Sequence, residues 1–216
     1  MTPAFSEILD PVFLYVIDLL ERINQHRAAA VAIERQQVRR RLDEALLKLG
    51  GRRESVLAGQ ALIYWIDEML ILTDWEGQDW WNNNKLEAEI LDTNNRYRNF
   101  FVDAKESAGL ADKSALEVYY LCVALGFRGL YRDPRSDDSM NARETLQLPP
   151  TLQEWLQQAY AGIRLTPPPD FDGQREPIEG VYPLEGPVTL IWASFFGLIL
   201  LVLATVLGYL YFHFQK

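Results

Sequence analysis

The chain has 216 residues, with 30 acidic against 21 basic and a formal charge of −9. That acidity argues against nucleic-acid binding, because phosphate contacts need a cationic face. The single cysteine, Cys122, excludes an internal disulfide and a cysteine-rich zinc site.

Helical periodicity dominates, and no convincing run of alternating strand residues appears. Ile8, Val12, Val16, Leu19 and Ile23 follow helical spacing and predict a first helix over 6–25. Val31, Val38, Leu42, Ala45 and Leu49 make the apolar stripe of a second, which Gly50-Gly51 ends. This segment holds the one basic cluster, centred on Arg39, Arg40 and Arg41. Such a cluster reads either as a surface for anionic lipid or an acidic partner, or as a solvated face with local ion pairs. The third helix, over 54–72, is apolar around nearly its whole circumference, which predicts a central helix buried by its neighbours. Asp67 and Glu68 interrupt it. Adjacent helical residues point about 100° apart, so the two cannot share one site as a catalytic dyad would. They read as an internal cap or ion pair, or as an acidic recognition spot in a groove.

Residues 74–84 read as an irregular, aromatic-rich connection containing Trp75, Trp80 and Trp81. A short helix over 85–91 follows, and Asp92 or Thr93 is expected to cap the next one, which carries Tyr97, Phe100, Phe101 and Ala104. Ser114, with Glu117 three residues on, forms a capping-box pattern ahead of another apolar helix. Gly126 and Gly129 bracket Phe127 and predict a close-packed helix end and sharp turn. Residues 133–140 read as a loop, and a last helix is expected over 152–163, after Pro149-Pro150.

Beyond it, 166–187 carries six prolines and reads as a linker. Residues 188–212 then run 25 positions without a charge, with Trp192 near one end and Tyr209 and Tyr211 near the other. At about 1.5 Å per residue this stretch spans roughly 37 Å, enough for a bilayer core with some tilt. The layout expected is a cytoplasmic helical domain over 1–165, the linker over 166–187, a membrane helix over 188–212 and a short periplasmic tail over 213–216. The start of the chain lacks a basic segment and a cleavage site, which agrees with a cytoplasmic domain on a single-pass anchor. Ala193, Gly197, Ala204 and Gly208 fall on one face of the span. Small residues let helices approach closely in lipid, so this face is expected to pair with a second copy or a partner's span.

Chemistry is poorly supplied. There is no P-loop, dinucleotide fingerprint or zinc-binding histidine pair, and His26 is the only histidine ahead of the span. Cys122 sits in an apolar helix and reads as a small hydrophobe. No catalytic residue, metal site or cofactor is expected, and the rival reading of an anchored hydrolase would have to rest on Asp67 or Glu68.

Three segments together resemble the DotU/TssL family of bacterial secretion systems. They are Ala61-Leu62-Ile63-Tyr64-Trp65-Ile66-Asp67-Glu68, the aromatic spacing of Trp75, Trp80, Leu86 and then Phe100-Phe101, and the stretch from Tyr120-Leu121-Cys122 through Gly126-Phe127 to Leu130-Tyr131. The resemblance implies an all-helical, hook-like domain of two small bundles ahead of a single C-terminal membrane helix. It also implies a non-enzymatic scaffold in the inner membrane, beside an IcmF/TssM-like protein, that docks TssK-like and other baseplate subunits of a type VI secretion system. A stabilising role in type IVB secretion, which related members fill, stays open. Carried over, Asp67, Glu68 and Trp75 would lie at a cleft that binds partners.

Overall fold

The computed structural model describes residues 3–164, and all regular structure among them is helical. Helices α1 (Pro3–Asn24) and α2 (Val31–Leu49) lead into α3 (Arg53–Leu72). Two short helices, α4 (Gln78–Asn83) and α5 (Leu86–Leu91), connect to α6 (Arg96–Gly109) and α7 (Ser114–Ala124). A 3₁₀ turn at Gly129–Tyr131 precedes α8 (Asp137–Thr145) and α9 (Leu152–Arg164). The expected linker, membrane helix, association face and tail lie outside the described residues.

α3 is central, as its all-round apolar composition requires. By length and composition alone it could cross a membrane, yet it is packed inside the domain. Leu57, Ala58, Ala61, Leu62, Trp65, Ile66 and Leu70 are all fully buried along it. α2 packs on α3 and carries α1 with it; α6 and α7 pack on α3 elsewhere, and α7 carries α9. The helix groups therefore share α3 as a common wall.

An aromatic cluster fills the α6–α7–α9 side. Phe100 stacks on Phe127 with ring centroids 3.8 Å apart and meets Tyr119 edge-on at 4.8 Å. Phe101 packs edge-on against Tyr131 and Trp155. The two glycines beside Phe127 make this possible. Gly126, at φ +114°, closes α7 with its N–H on Val123 O, while the Phe127 N–H reaches Cys122 O; this is the paired bonding of a Schellman end. Gly129, at φ +49°, has no room for a β-carbon, which would lie 2.8 Å from the Phe127 ring and 2.9 Å from the Phe101 ring. The stretch that carries most of the family resemblance is thus built for close packing.

Four local expectations need correction. Residues 78–83 form α4 rather than irregular chain: Trp81 is fully buried there, and the Gln78 side chain donates to Ile71 O at 2.8 Å. Residues 137–145 form α8, which buries no residue and so has no apolar stripe to reveal it. The Thr93 hydroxyl accepts from the Asn95 N–H, just ahead of α6, and does not cap the helix itself. At α7, Ser114 is the first helical residue, and the Asp112 carboxylate takes the Ser114 N–H at 2.8 Å.

Candidate functional site

Asp67 and Glu68 are fully buried, and each serves the start of a different element. Asp67 Oδ1 accepts from Trp81 Nε1 at 2.9 Å and from the Leu86 N–H at 3.0 Å; its Oδ2 accepts from the Glu87 N–H at 2.8 Å. It thereby caps α5 from a distance, using two N–H groups that a helix start leaves open. Glu87, itself buried, continues the pattern: its carboxylate takes the Arg96 N–H at the start of α6 and pairs with the Arg96 guanidinium, both at 2.9 Å. Glu68 Oε1 accepts from the N–H groups of Arg128 and Gly129 at 2.7 and 3.0 Å, which starts the 3₁₀ turn. Its Oε2 is buried without a partner. Burial raises the carboxyls of Asp67 and Glu68 above their ordinary range, against the hydrogen bonds they accept. The pair offers a partner no carboxylate surface. Neither carboxylate is exposed to solvent in the described structure.

A second buried carboxylate organises the α1–α2 corner. Glu34 is 1% exposed on the inner face of α2. It accepts from the Tyr15 hydroxyl at 2.7 Å, from the Ala29 N–H at 2.9 Å, and from both terminal nitrogens of Arg22. Burial works to raise this carboxyl, but Arg22, Tyr15 and Ala29 together hold it below its ordinary range. The basic cluster on the same helix is divided among several tasks. Arg39 binds Asp43 and Glu89, Arg40 and Arg41 hold the Gln37 side chain, and Arg41 also lies over the Tyr15 ring at 3.9 Å. Of the three, only Arg40 is exposed.

Between these two supports lies a groove of about 330 Å³. One wall is the α1–α2 connection, with Ile23, His26 and Ala28 through Val31; the other is the α3–α4 connection, Asp74 through Gly77. Trp75 is half-buried in the second wall, fixed by its Nε1–H on Leu70 O at 2.9 Å and packed near Trp81 at 6.4 Å. Asp74 and Glu76 flank it, both exposed, with no ion pair among the described residues. Trp75, singled out from the sequence, is therefore at an accessible site, whereas Asp67 and Glu68 are its internal supports. Sequence reasoning missed Asp74 and Glu76. The signal available was two acidic residues bracketing one tryptophan just past the end of the central helix. The groove brings one indole and two exposed carboxylates together.

Two further titratable groups lie apart from the groove. Cys122 is fully buried, burial raises its thiol well above the ordinary range, and its S–H faces Ala61 O at 3.7 Å. Asp103 on α6 accepts from the Tyr64 hydroxyl at 3.3 Å, and burial pushes its carboxyl up to about 6, against Tyr64 and Arg53. A carboxyl raised in the folded state binds its proton more tightly there than in the unfolded chain. Folding is therefore weakened as pH climbs from the ordinary carboxylate range through about 6, and stays weakened above. Asp103→Asn keeps the acceptor for Tyr64 and removes the charge. It is expected to be more stable than the parent by about 1 kcal/mol at neutral pH, after allowance for solvent screening, with the gap closing toward about pH 4. Thermal melts of both proteins across that range check the point; a gap independent of pH would count against it.

Residues 4–214 match the family described as "Type VI secretion system protein DotU". No curated protein matches the chain. Among solved structures, the cytoplasmic domain of TssL from Acinetobacter baumannii is similar with a TM-score of 0.60 at 18% identity, covering 76% of this chain and 98% of that one. At that identity the likeness is one of fold.

Proposed function

The chain belongs to the DotU family of type VI secretion system proteins, and from that premise we propose that it is a non-enzymatic scaffold of the secretion machine's inner-membrane complex. In this reading 188–212 anchor it in the inner membrane, 1–165 lie in the cytoplasm, and an IcmF/TssM-like protein is its membrane partner. The helix groups sharing α3 are taken as the two bundles of the expected hook-like domain. TssK-like and other baseplate subunits dock on the cytoplasmic side, where several anchored copies add avidity to weak single contacts. Ala193, Gly197, Ala204 and Gly208 carry self-association in the span.

The observation that supports docking is the groove: a half-buried tryptophan held by its Nε1–H on Leu70 O, between two exposed carboxylates that make no ion pair among the described residues. Asp67 and Glu68 contribute by holding the neighbouring elements in place, and Trp75 by contact. The test is purification of the tagged full chain from its native cells in mild detergent, with mass spectrometry of what accompanies it. The parent should bring down an IcmF-like protein and baseplate subunits. Asp74→Lys with Glu76→Lys should keep the IcmF-like protein and lose the baseplate subunits, while Gly197→Leu with Gly208→Leu should reduce recovery of an untagged second copy. Baseplate recovery unchanged by the groove variant would remove the groove from the reading.

A further inference from the structure

The end of α2 away from the groove has a different character. Gly50 closes the helix at φ +74°, and β-carbons placed at Gly50 and Gly51 would meet nothing within 4 Å, so this turn projects into open space. Leu47, in the last turn of α2, is 84% exposed, the highest value among the large apolar side chains of the described residues. Burying such a side chain is favourable, so a surface that covers it gains from doing so. Its neighbours are basic. Lys48 is exposed and has no acidic partner among the described residues, and Arg40, two turns back on the same face, is bonded only to the neutral amide of Gln37. Arg52, just past the turn, keeps 70% of its side chain exposed while touching Glu54. Arg39 spends its charge on Asp43 and Glu89, and Glu44 is the opposing charge beside Leu47.

A projecting leucine beside Lys48 and Arg40, which have no acidic partner among the described residues, and beside the exposed Arg52, which also touches Glu54, suits a surface that is anionic outside and apolar just beneath. We infer that the α2–α3 turn, through Leu47, Arg40, Lys48 and Arg52, rests on the anionic lipid headgroups of the membrane that carries the protein. Each cation near such a surface gains attraction that falls off within a Debye length, and the leucine enters the acyl boundary. In a chain of net charge −9 this is the end that an anionic bilayer attracts rather than repels. The inference rests on the anchored reading given above.

The experiment uses the full chain in lipid nanodiscs. Cys122 is fully buried, so a cysteine placed at position 47 or 14 can be labelled selectively with an environment-sensitive fluorophore. Leu14 on α1 is 66% exposed and serves as the control. In discs containing phosphatidylglycerol, the label of Leu47→Cys should shift to the blue and lose most of its emission to brominated lipid, while that of Leu14→Cys should do neither. Phosphatidylcholine discs, or Arg40→Glu with Lys48→Glu, should abolish the shift. Equal spectra in the two lipids, or equal quenching at both positions, would overturn the inference. A chain that fails to enter discs, seen by flotation before any spectrum, would overturn the anchored reading and this inference with it.

Discussion

Replacing Asp67 with alanine is expected to cost about 3–5 kcal/mol, the range for stripping one partner from a buried charged network. Trp81 Nε1–H and the N–H groups of Leu86 and Glu87 all point at this one carboxylate and would be left dry and unpaired. The loss should spread, because Glu87 holds the start of α6 only while α5 is in place. Asp67→Asn should cost roughly half as much, since one oxygen can still serve two donors while its amide nitrogen faces the Glu87 N–H, donor against donor. Urea denaturation of both variants gives the ranking. With total stabilities of about 5–15 kcal/mol usual for domains, the alanine variant removes a large share. An alanine variant within about 1 kcal/mol of the parent would show that water reaches and satisfies these donors.

Glu34→Ala is the second large effect, expected at about 3 kcal/mol. It frees the Tyr15 hydroxyl, the Ala29 N–H and an Arg22 guanidinium that keeps only Asp18. Amide hydrogen exchange should quicken first around Ala29, because the α1–α2 connection loses its internal tether. The acid dependence separates charge from shape. Glu34 is held below its ordinary range, so its contribution is present above about pH 4.5 and is lost as pH falls through its lowered folded value. Glu34→Gln should therefore be weaker than the parent at neutral pH and approach it in acid. A gap that stays constant into acid would place the cost in geometry alone.

The large apolar helices were legible because their burial is written in local spacing. α3 is apolar all round and lies at the centre, and the stripe of Val38, Leu42, Ala45 and Leu49 is the buried face of α2. Glu34 sits on that same face between Val31 and Val38, and a charge at a core position was a sign of a satisfied buried group. The partners of Asp67 were not legible. Two of its three donors belong to a helix start about twenty positions away, and no local pattern ties them together. α8 escaped notice because it packs too lightly to impose a period. The groove needs two connections far apart in sequence to meet, which spacing alone does not reveal. The resemblance to the DotU family stood on residues whose roles here are packing, in Phe127 and Gly129, and capping, in Asp67 and Glu68.

α2 begins beside the acidic groove at Val31 and ends at the basic turn after Leu49. Its 19 residues separate the two by about 28 Å at 1.5 Å per residue. Physiological salt damps charge over about 8 Å, so the two ends lie more than three screening lengths apart. The carboxylates of Asp74 and Glu76 and the cations of the turn after Leu49 thus act across solvent as separate charged surfaces. A charged segment placed at the groove would therefore meet the same potential whatever surface the other end touches.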